Sequence, residues 1–332
     1  MRTQLTDSLQ IDFPMIMAPM FLVSNEAMVI AAMNNGIAGS FPSLNYRKEG
    51  ELEKVLDHLN NEKEKLSVRG TYGINLIVQK TNPLYEKHLK ICIEKKVPFY
   101  ITSLGNPKQV IEEAHRYGAK VFCDVTNITH AQKCFELGCD GFIAVGQGAG
   151  GHAGPNPLQV LIPSFHQHFP TSIVIAAGGI ATGAGVLSML SMGAAGVSVG
   201  TRFIATVEAG VSIEYKNAIV NSEMQDIVLT EKISGTPCTI IDTPFAKKIG
   251  YKQNWLEKQL SINTRTKKYF KMWVQLSGMK KLEASIHPGN YQSLWCAGQS
   301  VELIHEISSV KEVIEHIKQQ TQTAYQDLKS VF

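Results

Sequence analysis

The 332-residue sequence predicts an α/β chain whose parallel strands close into a (β/α)8 barrel, with a mainly helical insertion near the C-terminus. Three observations carry that prediction. Up to about residue 205, short apolar or β-branched runs alternate with amphipathic helical stretches, the pattern of repeated βα units on a parallel sheet. Eight such runs can be counted, the number that closes a barrel. The length suits one barrel of about 250 residues plus an insertion. A doubly wound sheet is the runner-up, disfavoured because the first glycine-rich chemistry follows the sixth run, whereas a dinucleotide fingerprint would follow the first.

The strand candidates are PMIMAP (14–19), GIAGSF (36–41), TYGINL (71–76), PFYITS (98–103), AKVFCDV (119–125), DGFIAVG (140–146), SIVIAAGG (172–179) and AGVSVGT (195–201). Between them, NEAMVIAAMNNG has apolar residues at helical spacing and ends at Asn35-Gly36. NPKQVIEEAHRYG starts behind Asn106-Pro107 and stops at Gly118, and THAQKCFELG is closed by Gly138. Residues 206–295 break the alternation. NSEMQDIVL is expected to be helical, while SGTPCTIIDTPFAKK looks extended and hairpin-like. The stretch AGQSVELIHEISSVKEVIEHIKQQTQTAYQDL returns to helical periodicity and should pack on the barrel as its terminal helix. The expected division is therefore 1–205 with 296–332 as barrel and 206–295 as a mainly helical lid.

Composition narrows the class. With 44% hydrophobic and 18% charged residues the chain should fold as a soluble globular protein. No apolar run nears the roughly 18–20 residues that span a bilayer. The start MRTQLTDSLQIDFP lacks the basic and apolar regions of a signal peptide, so a cytoplasmic enzyme is expected. The six cysteines form no CxxC pair and no Cys/His ligand spacing, and read as reduced, mostly buried thiols; no metal site is expected. Residues 247–281 hold ten Lys/Arg against Glu257 alone, a local +9 that leaves −6 for the rest of the +3 chain. Interleaved Tyr251, Trp255, Tyr269, Phe270 and Trp273 imitate a nucleic-acid surface, but a helical lid with a solvated basic face is preferred, and no nucleic-acid or membrane partner is expected.

In a (β/α)8 barrel the site lies at the C-terminal strand ends, and phosphates are commonly held by the loops after the seventh and eighth strands. Both loops are glycine-rich here: AAGGIATGAG places Gly178 and Gly179, and VSVGTRF places Gly200 and Thr201, where bare backbone N–H groups can face an anion. The loop after the sixth run, GQGAGGHAGPNP, sets His152 among glycines and prolines just beyond a strand end. An imidazole there, titrating near neutral pH, is the candidate acid or base; the other histidines of the chain's ten lack that setting.

Taken together, PMIMAPM, GINL, GAGGHAG, AAGGIATG and GVSVGTRF resemble the nitronate monooxygenase (2-nitropropane dioxygenase) family of FMN-dependent TIM barrels, over about residues 11–206 and again at LWCAGQS (294–300). The resemblance implies FMN as cofactor. Met17, Ala18, Pro19 and Met20 would line its ring, Asn75 would hydrogen-bond it, and Ala149, Gly150 and Gly151 would let the ring lie against the loop. Gly178, Gly179, Gly200 and Thr201 would cradle its phosphate, with Gly298 and Gln299 returning near the cofactor. It also implies oxidation of a small-molecule nitronate or nitroalkane by oxygen to a carbonyl compound and nitrite. The competing reactions on nearly the same scaffold are FMN-dependent enoyl-acyl-carrier-protein reduction and NAD(P)H:quinone reduction, so use of NAD(P)H stays open. One departure stands out. Members of the family often carry a basic residue just after the fifth strand, where this chain has Asp124 in VFCDVTN. An acid would not stabilise negative charge on reduced flavin; capping a turn is its expected role, ahead of orienting His152.

Overall fold

The computed structural model describes residues 1–79, 81–233, 237–252, 274, 277, 282–284 and 293–331. All eight expected runs form strands: β1 (Met15–Met17), β2 (Ala38–Pro42), β3 (Thr71–Ile77), β4 (Phe99–Ser103), β5 (Lys120–Val125), β6 (Gly141–Val145), then, past a two-residue strand β7 (Gly151–His152), β8 (Ile173–Ala177) and β9 (Gly196–Val199). They close a parallel barrel in the order β1-β2-β3-β4-β5-β6-β8-β9, and β1 completes the ring against β9 through Met15↔Val197, Ile16↔Ser198 and Met17↔Val199.

The helices in chain order are α1 (Gln4–Leu9), α2 (Glu26–Asn34), α3 (Glu51–Glu64), α4 (Tyr85–Glu94), α5 (Lys108–His115), α6 (Ile128–Glu136), α7 (Leu158–His168), α8 (Gly183–Ser191), α9 (Thr201–Ile204), α10 (Ile213–Asn221), α11 (Pro244–Ile249) and α12 (Val310–Lys329). Local chemistry starts several of them. Asn25, Asn127 and Thr182 cap α2, α6 and α8 with side-chain oxygens, and Ser309 with Glu312 closes a capping box on α12. That box starts the terminal helix at Val310, well beyond the expected start, and residues 299–303 form a short 3₁₀ turn instead. α12 then packs on α8 through Gly183, where a Cβ would lie 2.1 Å from the Thr321 backbone nitrogen.

Strand alternation divides the apolar residues into two clusters. Ile16, Phe99, Ile101, Phe122, Ile143 and Ile175 point into the lumen, joined from below by Leu5, Leu9 and Ile11. Helix α1 thus plugs the N-terminal end. Gly73 is small because Phe99 fills the lumen beside it, its missing Cβ lying 2.4 Å from the ring, and Gly196 makes the same allowance for Leu5. Each such side chain contributes roughly 1.5–3 kcal/mol by leaving water. The opposite residues, such as Met15, Tyr72, Tyr100 and Phe142, pack outward against the helices. With one end plugged and the middle filled, the C-terminal mouth is the remaining open end.

The inserted region differs from expectation in two parts. NSEMQDIVL is not a helix: after α10, Met224–Asp226 makes one 3₁₀ turn and Ile227–Thr230 is strand β10. It pairs antiparallel with β11 (Cys238–Ile241), the extended part of SGTPCTIIDTPFAKK, and β11 pairs in turn with β7; the PFAKK end of that stretch is not extended but forms helix α11, started by the Thr243 cap and Pro244. The expected helical basic stretch lies, from residue 253 to 281, outside the described residues save 274 and 277. The six cysteines are free thiols. No helix among the described residues is long and apolar enough to cross a membrane.

Candidate active site

Four backbone segments meet at the mouth: the loop after β6, the turn after β8, the start of α9 after β9, and the chain returning at Gly298. Glycine is required where they touch. A Cβ on Gly298 would lie 2.4 Å from the Gly148 oxygen, one on Gly150 2.8 Å from the Gly298 nitrogen, and one on Gly178 2.7 Å from the Ala149 nitrogen. Gly298 N–H donates to Thr201 Oγ1 at 3.0 Å, joining the returning chain to the β9 end.

Gly179 and Gly200 are different. The nearest atom to a Cβ on Gly179 is Gly148 Cα at 3.8 Å, and on Gly200 Ala18 Cβ at 3.6 Å, both ordinary van der Waals distances, so close packing does not demand glycine at either position. A phosphate fits such a place, because bare N–H groups reach it without side-chain obstruction. Gly200 begins α9 without a side-chain cap, and Thr201 keeps its hydroxyl hydrogen to donate while accepting from Gly298. The first turn of α8, by contrast, is taken up internally: Gly185 N–H donates to Thr182 Oγ1 and Gly183 N–H to Gln320 Oε1. The bare backbone N–H groups expected here therefore belong to the turn itself, with Gly178 and Gly179 at φ +118° and +72°.

The chain leaving β1 flanks this room. Ala18 Cβ and Met20 Sδ are the atoms nearest Gly200, at 3.6 and 3.7 Å from its Cβ position. Ala18, Pro19 and Met20 are half-buried at the rim. Met17 is not with them: it is fully buried in the outer cluster, since it shares the face of Met15 and alternates with lumen-facing Ile16. Asn45 fixes the loop by accepting from Leu22 N–H at 2.8 Å and donating to the Ser24 and Met20 carbonyls.

Asn75 stands at the lumen top, buried, and donates from Nδ2 to Ile101 O at 3.1 Å and Ser103 Oγ at 2.7 Å. A carbonyl only accepts, so the amide nitrogen must face Ile101, and these two bonds leave the amide oxygen unused. Ser103 Oγ donates to Asp124 Oδ2 at 2.5 Å. Asp124 caps no turn. It points into the lumen one step above Phe122, and burial pushes its carboxyl up to about 6 against the opposing Ser103 bond.

His152 lies in β7 opposite Cys238 of β11. Its ring keeps solvent contact while protein crowds it, and that desolvation lowers its pKa below the ordinary 6.5, leaving the imidazole neutral at pH 7. Thr239 latches the loop behind it, donating from Oγ1 to Ala149 O at 2.6 Å, with Gly151 O at 3.2 Å. Tyr215 holds the returning segment: its ring stacks on Trp295 at 5.3 Å and its hydroxyl donates to Cys296 O at 2.5 Å. Neither Thr239 nor Tyr215 was among the sequence candidates. Gln299 sits exposed at the start of its 3₁₀ turn, one residue beyond the junction. No cluster of metal ligands occurs among the described residues.

The sequence profile described as nitronate monooxygenase matches residues 42–320. The chain is 26% identical to a probable nitronate monooxygenase of Staphylococcus aureus (strain Newman), over 87% of this chain and 94% of that one. It is also 26% identical to the (3aS,4S,5R,7aS)-5-hydroxy-7a-methyl-1-oxo-octahydro-1H-indene-4-carboxyl-CoA dehydrogenase of Rhodococcus jostii (strain RHA1), over 96% and 95%. Among solved structures, FabK from Thermotoga maritima superposes with a TM-score of 0.84 at 30% identity, covering 100% of both chains.

Proposed function

The chain belongs to the nitronate monooxygenase family, and from that premise we propose that it is an FMN enzyme oxidising alkyl nitronates or nitroalkanes with oxygen to carbonyl compounds and nitrite. FMN, when bound, supplies the electron acceptor and the reaction with oxygen. The observation that carries the proposal is that Gly179 and Gly200, at consecutive strand ends, are glycines that close packing does not require, in the mouth that also holds the neutral imidazole of His152. One monophosphate cradle, and no glycine-rich turn after β1, favours FMN over FAD.

The protein's own groups then divide the work. Gly178, Gly179, Gly200 and Thr201 would hold the phosphate through backbone N–H groups and one hydroxyl. Ala18, Pro19, Met20 and the loop at Ala149, Gly150 and Gly151 would bound the ring, and the Asn75 amide oxygen would offer it an acceptor. His152, neutral at pH 7, takes the α-proton of a neutral nitroalkane; a preformed nitronate has already lost it. We also take 206–295 as a segment covering the barrel of 1–205 and 296–332, which the pairing of β11 with β7 supports.

The similarity to FabK along both whole chains, and to a CoA-ester dehydrogenase, favours as the second reading a dehydrogenase or enoyl reductase of a thioester that uses NAD(P)H. The His152→Ala variant tests the first. It should keep FMN, lose about 10²–10⁴-fold in turnover of a neutral nitroalkane, and lose far less with the preformed nitronate. Equal losses on both would make His152 a binding group, and wild-type rates on both would remove it from the reaction.

A further inference from the structure

We propose that Asp124 is a specificity-determining residue of the mouth: its carboxyl admits an anionic ligand only with a proton taken up from solvent, and turns that ligand away when ionised. The inference rests on the reading of this mouth as the place where nitronate, an anion, meets the cofactor.

The hydrogen-bond chain fixes the carboxyl's role. Asn75 Nδ2 spends one hydrogen on Ile101 O and the other on Ser103 Oγ, and Ser103 passes its own hydrogen to Asp124 Oδ2. The chain of donors through Ser103 therefore ends on Asp124. Among the described residues Ser103 is the one donor it receives and no cation pairs with it. On the neighbouring strands β4 and β6, Tyr100 faces the outer shell and β6 contributes no titratable group; Tyr72 and Cys123 also turn outward. Lys120 lies at the far end of β5, paired with Asp140 at 2.9 Å. Among the described residues, His152, on the loop after β6, is the other titratable group of the mouth.

A lone carboxylate with a single donor, half-enclosed in the barrel, disfavours a second negative charge beside it. Burial already pushes its pKa up to about 6, and a bound anion raises it further by linkage. Anion binding then takes up one proton, and affinity falls about tenfold per pH unit above the free carboxyl's pKa. A neutral ligand of the same shape is indifferent to the change.

Benzoate and benzamide, planar and nearly isosteric, separate the two cases. Each is titrated into the flavin-loaded protein from about pH 5 to about pH 8, with binding read from the flavin absorbance rather than turnover. Benzoate affinity should fall about tenfold per unit above about pH 6, benzamide affinity should stay level, and Asp124→Asn should hold benzoate at its acid-limit affinity throughout. Ser103→Ala, which removes the bond that favours the ionised form, should move the break to higher pH. A level benzoate profile in the wild type, no benzoate binding at about pH 5, a slope that survives in Asp124→Asn and so belongs to His152, or a break unmoved in Ser103→Ala would each overturn the assignment. Nitronate turnover by the wild type is measured separately, so a failure of the nitronate reading leaves the titration result standing as a property of the mouth toward anions.

Discussion

Replacing Thr239 by valine keeps the shape of the side chain and deletes its hydroxyl. The Oγ1 hydrogen goes to Ala149 O at 2.6 Å, with Gly151 O at 3.2 Å as a weaker second acceptor. Ala149 is 8% exposed and Thr239 9%, so water cannot readily replace the lost donor. A buried acceptor left unsatisfied costs about 1–3 kcal/mol, and in large domains each kcal/mol moves the melting temperature by about 2–4 °C, which sets the expected fall at about 2–12 °C. The backbone pairing of β11 with β7 survives the change, so the global fold should hold while the loop carrying His152 loosens. Differential scanning fluorimetry of the flavin-loaded protein, with amide hydrogen exchange across residues 146–152, reads both effects. Thr239→Ser should restore the wild-type values. An unshifted melting temperature with unchanged exchange in Thr239→Val would refute the latch.

Gly179→Leu should give folded but colourless protein, because the side chain fills the room left for phosphate and its backbone sits at φ +72°; circular dichroism and flavin absorbance check this, and retained flavin would count against the cradle. His88, 3% exposed on α4, is held neutral by burial, with its pKa below the ordinary value and its Nδ1 without a partner among the described residues. The unfolded chain therefore binds the extra proton first as pH falls through about 6.5, and stability should decline below that pH. Urea midpoints at about pH 5 and 7 should converge in His88→Leu; an unchanged difference would place the effect elsewhere.

The barrel was legible because buried parallel strands are short apolar runs that need no partner to be recognised, and each of the eight is bounded by turn residues. The close meeting of the glycine loops was legible for a related reason: backbone can approach backbone only where a side chain is missing. Met17 was misplaced although period-two alternation with Ile16 turns it to the shell, so that correction was available from the sequence alone. β7 and β11 were harder. They bring together residues nearly ninety positions apart in short strands whose own patterns carry no sign of the pairing, and Thr239 becomes a latch only through it. QDIVL reads equally as helix or strand over so few residues, and its hairpin partner decides. The Asn75, Ser103 and Asp124 chain joins three strands, each supplying one residue to it, so its continuity appears only when β3, β4 and β5 stand in register.

The most direct measurement of the central claim is anaerobic mixing of the flavin-loaded protein with a preformed alkyl nitronate, and in separate experiments with NADH and NADPH, following bleaching of the flavin absorbance. The account predicts rapid bleaching by the nitronate, and release of carbonyl compound and nitrite when oxygen is readmitted. Bleaching by a nicotinamide with none by the nitronate would contradict it and establish the thioester or quinone reductase instead.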